Sequence, residues 1–218
     1  MPADTSALTF GPIDPTVRVL RVDAADGAPI ASLINFACHP VCQASQMRAL
    51  SADYPGRMRQ VVESLTGAPC LFLQGAGANI NPILMEHSYE PARTLGTRLG
   101  CEAVKVWETI EVEEMSGLRV VSRIVSLPRY RYGSAENAEQ LVRDLEGEVE
   151  RRKAQEDSAS SLWWAQSRLK RAQEVLESWQ VDAPLPTIDA ELQAWKLGDL
   201  ALTTAPGEIF NEIGSRVK

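Results

Sequence analysis

The first part of the chain carries strand-like hydrophobic patterns. Residues 17–22 alternate between apolar and polar positions, and residues 30–38 are almost continuously apolar. The Asp26-Gly27 pair between them predicts a turn, so the two runs predict a β-hairpin whose second strand is buried on both faces. We expect this strand to end at Cys38-His39-Pro40, because Pro40 has no N–H group to donate to the sheet.

Helical and strand-like patterns then alternate. Asp53 predicts a helix cap, and apolar residues recur at helical spacing from there to Gly67. Residues 70–73 predict a short buried strand, and a glycine-containing loop at 74–82 leads to a helix that begins near Pro91. This order favours parallel strands joined by a right-handed crossover.

The second part of the chain predicts strands on either side of a helical segment. Residues 119–127 predict a strand, and 188–194 and 200–204 predict two more. Between them, helical periodicity over about 134–180 predicts a charged antiparallel helical hairpin. The predicted fold class is α/β, a mixed sheet with flanking helices plus this hairpin. We expect residues 1–218 to form one domain with 134–180 as an inserted arm.

Composition and charge narrow the partners and the compartment. The 218 residues carry a formal charge of −7, which disfavours binding to nucleic acid. No apolar run reaches the roughly 20 residues needed to span a bilayer, and the first residues show no signal-peptide pattern. The sequence predicts a cytoplasmic protein whose four cysteines are reduced.

His39 is the first candidate for chemistry, because ligands bind beyond the carboxyl ends of strands in α/β sheets. Its imidazole is suited to metal binding or proton transfer, or to a structural hydrogen bond with a backbone carbonyl. Cys38 and Cys42 flank it and suggest a zinc site, although a closed structural site needs a second pair of ligands. Cys42 activated by His39 as a thiol nucleophile is a further alternative.

Three further features have double interpretations. The loop at 74–82 resembles an anion nest or oxyanion hole in its glycine content, or is a plain connection. Glu208 is placed at the predicted start of the last helix, where it is either a site carboxylate or a favourable first-turn charge. Asp53 is either a site carboxylate or a helix cap. His87 is predicted to be a surface residue.

Several short motifs follow one another along the chain: GPIDP at 11–15, VLRV at 19–22, NFACHP at 35–40, LSADYPG at 50–56, LQG at 73–75, NP at 81–82 and APGE at 205–208. In this order they resemble part of the catalytic domain of the neutral/alkaline (non-lysosomal) ceramidases. The resemblance implies a zinc-dependent amidase that cleaves the N-acyl bond of a lipid amide or a small-molecule amide.

The resemblance also implies roles for individual residues. The family's zinc is held by two histidines, a glutamate and a tyrosine; His39 matches the second histidine and Glu208 the glutamate. The first histidine motif and the tyrosine have no counterpart in this chain. We therefore expect a weakly held zinc, or a complementing chain or oligomer that completes the site.

The loop residues Gln74, Gly75 and Asn79 match the family's catalytic loop with two departures. Gly75 stands where ceramidases carry a serine, and Asn79 stands where bacterial relatives carry an aspartate. The resemblance predicts a ceramidase-like zinc hydrolase. The alternative is a catalytically inactive or truncated relative with a structural or assembly role.

Overall fold

A computed structural model of the chain describes residues 11–43, 49–83, 86 and 88–218. These residues form two compact units. The first unit contains the described residues up to Leu118 together with 197–200 and 206–218, and the second unit contains 119–196 and 201–205. The single domain with an inserted arm stays a prediction. His87 lies outside the described residues.

The first unit is built on a three-stranded mixed sheet in the order β1-β2-β3. The strands are β1 (Arg18–Asp23), β2 (Pro29–Phe36) and β3 (Cys70–Gln74). β1 and β2 pair antiparallel through the predicted turn, where Gly27 has a φ of 84° that glycine adopts without strain. β2 and β3 pair in parallel. The predicted α/β class is confirmed.

Two helices, α1 (Asp53–Thr66) and α2 (Glu90–Trp107), complete the core of this unit. Apolar side chains from both helices and from the sheet form one cluster, which includes Ile34, Met58, Val62, Cys70, Leu99 and Ala103. Gly96 and Gly100 of α2 allow the two helices to approach closely, because a Cβ atom at either position would collide with α1. A last short helix, α5 (Asn211–Val217), also belongs to this unit.

β2 ends at Phe36, earlier than the predicted end at Cys38-His39-Pro40. Phe36 is the last residue paired with β3, and its carbonyl oxygen accepts the Gly75 N–H at 2.9 Å. Beyond it, the His39 N–H donates to the Ile80 carbonyl at 2.8 Å instead of to a neighbouring strand. The strand therefore ends because its partner ends, and Pro40 is not the cause.

The second unit contains the predicted helical hairpin, formed by α3 (Ala135–Ala154) and α4 (Ala159–Gln180). The helices pack through Val142, Leu145 and Ala172, and Leu185 adds to a neighbouring cluster with Ala138 and Val175. Ser134 caps α3 in a reciprocal pair with Asn137, which satisfies two N–H groups at the helix start. The hairpin prediction is confirmed.

A second sheet in the order β4-β5-β6 lies in the same half of the sequence. Its strands are β4 (Arg119–Leu127), β5 (Ile188–Leu197) and β6 (Leu200–Thr204). Ala190 is the only buried residue in these three fully described strands, and Val121 and Ile124 are 65% and 68% exposed. None of the described helices is both long and apolar enough to cross a membrane.

The close approach of α1 and α2 predicts opposite outcomes for two glycine substitutions. Gly96→Ala should destabilise the protein by roughly 1–3 kcal/mol, because the new Cβ would collide with the Tyr54 carbonyl oxygen. Gly147→Ala in α3 is the matched control. Its Cβ would meet only the tip of the Arg151 side chain at 3.4 Å, so we expect a gain of about 0.5–1 kcal/mol from helix propensity.

Urea unfolding of both variants, followed by circular dichroism, measures this difference. A Gly96→Ala variant as stable as the unsubstituted protein would contradict the close helix packing.

Candidate functional site

The carbonyl oxygen of Cys38 anchors the turn that follows β2. It accepts a hydrogen bond from the Tyr54 hydroxyl of α1 at 2.6 Å and another from the Gln74 side-chain amide at 3.1 Å. Tyr54 is 2% exposed, and burial raises the pKa of its hydroxyl, so it remains a donor at any physiological pH. Sheet, helix and loop thus converge on one oxygen next to His39.

The His39 ring leaves the sheet and lies against the glycine loop. Its Nε2 atom is 3.0 Å from the carbonyl oxygen of Ala78, and the ring is half-buried. A carbonyl oxygen only accepts, so Nε2 carries the proton in this bond and the neutral imidazole keeps its lone pair on Nδ1. The two interpretations of His39 are therefore compatible: a structural hydrogen bond at Nε2 leaves Nδ1 for a ligand.

Backbone hydrogen bonds within the protein occupy several N–H groups of the loop. Gly75 donates to Phe36, Ala78 donates to Ile209 at 3.1 Å, and Ile80 donates to Gly77 at 3.0 Å. These three groups are not directed at a ligand, which removes them from an anion nest. The loop instead joins β2 to the C-terminal segment of the first unit.

Gly75 lies directly against the chain at the end of β2. A Cβ atom at this position would be 3.1 Å from both the Cα and Cβ atoms of Ala37, tighter than ordinary van der Waals contact. Gly77 is more constrained, since its Cβ would be 2.8 Å from the Cys38 backbone nitrogen. The serine that the resemblance places at position 75 would need the Ala37 backbone to shift.

Asn79 connects the loop to α5 through both ends of its amide. Its Oδ1 accepts the Asn211 N–H at 2.9 Å, and its Nδ2 donates to the Glu212 carboxylate at 3.0 and 3.3 Å. The N-cap residue of α5, Phe210, has no side-chain cap, so Asn79 satisfies an N–H group of the first turn from a distant part of the sequence. The position requires a group that accepts and donates at once.

Glu208 precedes α5 by three residues, so its predicted place in the first turn of the last helix was wrong. The helix begins at Asn211, after the extended Phe210, and the Asn79 side chain accepts the Asn211 N–H. Glu208 is exposed and forms no side-chain hydrogen bond or ion pair within the described residues.

The residue after Glu208 is linked to the loop that holds His39. The carbonyl oxygen of Ile209 accepts a hydrogen bond from the Ala78 N–H, and the Ala78 carbonyl oxygen is hydrogen-bonded to the His39 ring. One residue of the loop therefore contacts both His39 and the segment that carries Glu208.

Asp53 is the first residue of α1 and has a φ of 50°, so the predicted cap at this position was wrong: Ala52 precedes the helix without a side-chain cap. The Asp53 carboxylate accepts the Tyr54 N–H at 2.7 Å and the Gln43 N–H at 3.1 Å. It fixes the start of the helix against the segment that follows the candidate site.

The flanking cysteines are buried thiols. Burial, helped by the Asp53 charge, raises the pKa of Cys38 to about 11. Burial and a hydrogen bond with Asp53 raise the pKa of Cys42 in the same way. Both thiols stay protonated at neutral pH, which argues against Cys42 as a nucleophile because the thiolate is the reactive form.

The donors present do not make a complete catalytic zinc site. Within residues 11–43, 49–83, 86 and 88–218, no group of three or more His, Cys, Asp or Glu side chains is placed to hold a metal ion. The two ligands that the resemblance implies, His39 and Glu208, would supply two donors at most, whereas catalytic zinc sites use three protein ligands and a water. Any such centre needs a further donor.

Comparison with known proteins gives a fold match. No family model matches the chain, and no curated protein matches it. A solved neutral ceramidase from Pseudomonas aeruginosa matches with a TM-score of 0.59 and 18% identity over 94% of this chain. A structure described as ceramidase complexed with C2 matches with a TM-score of 0.46 and 21% identity, covering 55% of this chain and 20% of that one.

The chain therefore has the fold of a part of this neutral ceramidase. It covers 36% of the length of that protein, so about two thirds of the solved fold has no counterpart in this chain.

The Asn79 amide accepts one hydrogen bond and donates another, so a carboxylate at this position should not replace it. Asn79→Asp should destabilise the protein by about 1 kcal/mol, because it sets a second carboxylate against Glu212 in place of a donor. The double variant Asn79→Asp/Glu212→Gln should recover the loss, since the new amide at 212 can donate to Asp. Urea unfolding at low ionic strength measures all three proteins. Equal stability of the single and double variants would show that the contact is not formed.

The buried thiols predict selective alkylation. At neutral pH, iodoacetamide should modify the exposed Cys101 first, whereas the buried Cys38, Cys42 and Cys70 should react only as the protein unfolds. Peptide mass spectrometry after timed labelling measures each rate. If Cys42 were labelled as fast as Cys101, Cys42 would be accessible and reactive, which would support its role as a thiol nucleophile.

Proposed function

We propose that this chain forms part of a ceramidase-like hydrolase that cleaves an N-acyl amide or a related bond and that contributes His39 and Glu208 as zinc ligands. The observation that carries the proposal is the bond between His39 Nε2 and the Ala78 carbonyl, which fixes the ring and leaves Nδ1 as its metal-binding atom. The shared fold with a neutral ceramidase supports the class of protein.

The contacts of Ala78 support the choice of Glu208 as the second ligand. Ala78 accepts from the His39 ring on its carbonyl and donates its N–H to Ile209, next to Glu208. The Glu208 carboxylate is exposed and has no other partner among the described residues. A metal that binds it would displace only water and would break no hydrogen bond or ion pair of the described residues. Histidine nitrogen and carboxylate oxygen are ordinary zinc ligands.

Gln74 and Asn79 act as positioning residues in this proposal. Gln74 holds the Cys38 carbonyl, which sets the backbone from which His39 projects. Asn79 holds the first turn of α5, which sets the segment that carries Glu208. Ligands fixed by neighbouring hydrogen bonds bind metal more tightly than mobile ones. A direct catalytic role for Gln74, Gly75 or Asn79 stays a prediction from the family resemblance.

A bound zinc would supply a Lewis acid that polarises the amide carbonyl. The described residues alone offer too few donors for this chemistry, so we assign no step of the reaction to them. We propose that the remaining donors come from a complementing chain or an oligomer, and that the substrate is a small-molecule or lipid amide.

Zinc titration of the 218-residue chain, with a competing metal-sensitive dye, tests the proposal. We expect one weakly bound zinc, and both His39→Ala and Glu208→Gln should weaken it by about tenfold or more, since loss of even an outer-shell partner costs 10–100-fold. Glu113→Gln, an exposed carboxylate in a loop of the same unit, is the matched control and should bind as before.

Zinc affinity that is unchanged in both His39→Ala and Glu208→Gln would contradict the proposal. A folded protein that binds no zinc and hydrolyses no N-acyl amide would favour the second candidate function.

That second candidate is a catalytically inactive relative with an assembly role, and the exposed sheet favours it. Strands β4 to β6 bury a single residue, which leaves apolar side chains such as Val121 and Ile124 open to a partner. The close contact between Gly75 and Ala37 also favours an inactive relative, because it disfavours at position 75 the serine that the family resemblance implies there.

A further inference from the structure

The second unit contains a cavity that the proposed function does not use. It is an open depression of about 360 Å³ beside the helical hairpin, within the size range of small-molecule sites. Its floor is aliphatic and comes from α3, α4 and the chain ahead of β5. The floor residues are Leu141, Leu145, Val175 and Leu185. Leu145, Val175 and Leu185 are between 3% and 6% exposed, so the floor is part of the packed core of this unit.

Three arginines stand around this floor: Arg129, Arg168 and Arg171. Two of them are neutralised, because Arg129 pairs with Glu174 at 2.6 Å and Arg168 pairs with Glu148 at 3.2 Å. Arg171 donates only to the Ser167 carbonyl at 3.3 Å and forms no ion pair in the part of the chain that the structure describes. The cavity therefore keeps about one positive charge in a protein whose formal charge is −7.

The wall that follows β4 is held in place. Arg131 lies over the Trp179 ring with its guanidinium carbon 3.9 Å from the ring centroid, and it donates to the Ser178 carbonyl at 2.9 Å. These contacts fix the backbone at Arg131, and its two neighbours in the sequence, Tyr130 and Tyr132, line the cavity. A backbone that is already ordered loses little further entropy on binding a ligand, and the cost that remains is that of the Tyr130 and Tyr132 side chains, which are 80% and 40% exposed.

We propose that this cavity binds a monocarboxylate with an alkyl chain, such as a medium-chain fatty acid. The aliphatic floor takes the hydrocarbon chain, which contributes about 0.8 kcal/mol per buried methylene group. The carboxylate pairs with Arg171, whose planar guanidinium matches it with two parallel hydrogen bonds. One unpaired guanidinium balances one negative charge, which favours a carboxylate over a doubly charged phosphate. The proposal rests on the second unit alone and is independent of the zinc site.

Calorimetric titration of the whole chain with sodium decanoate, below the concentration at which decanoate aggregates, tests this site. We expect saturable binding to one site. Arg171→Gln should weaken it by about tenfold or more, as for the loss of a hydrogen bond to a charged group. Arg143→Gln removes an exposed arginine of α3 that does not line the cavity, and it should bind decanoate as the unsubstituted protein does.

Two further measurements separate charge from hydrophobic contact. Decanol should bind the unsubstituted protein more weakly than decanoate, and Arg171→Gln should not weaken it further. Leu141→Trp fills the floor while leaving all three arginines, and it should abolish decanoate binding with the helical circular dichroism unchanged.

The proposal is overturned if decanoate shows no saturable binding or if Arg171→Gln binds it as tightly as the unsubstituted protein. It is also overturned if decanol binds equally well, or if binding occurs only to anionic lipid vesicles.

Discussion

The position of the candidate site depends on the two hydrogen bonds that converge on the Cys38 carbonyl oxygen. Tyr54 reaches it from α1 and Gln74 reaches it from the end of β3, so the helix and the parallel strand are tied to the same point of the chain. Loss of both donors would leave a buried carbonyl oxygen without a hydrogen bond and would strongly destabilise the folded protein. Because this oxygen is satisfied outside the sheet, the chain can turn away from β3 and direct His39 toward the glycine loop.

From that turn, short contacts lead to the C-terminal segment. Ala78 joins the His39 ring to Ile209, and Asn79 joins the loop to Asn211 and Glu212, more than 130 residues further along the chain. The His39 ring is thus held by a neighbour that is not itself a candidate ligand, and only the backbone next to Glu208 is held in a similar way. This arrangement is typical of metal sites, in which outer partners orient the inner ones.

Most of the fold could be predicted from local patterns, whereas the site geometry could not. Hydrophobic periodicity located β4 at Arg119–Leu127 and the helical hairpin, since each element is decided by its own residues. The turn after β2 and the first turn of α5 are held by the side chains of Gln74 and Asn79, which are distant in sequence. Tyr54 was missed as a site residue because no pattern indicates where a helical hydroxyl will find its acceptor.

X-ray absorption spectroscopy of the zinc-loaded chain identifies the atoms bound to the metal and so tests whether His39 and Glu208 hold it. We expect nitrogen and oxygen neighbours at about 2.0–2.2 Å, with an imidazole contribution that His39→Ala removes. Sulfur neighbours at about 2.3 Å would place the metal on Cys38 or Cys42 instead. That result, or a shell of water oxygens alone, would contradict the proposed pairing of His39 with Glu208.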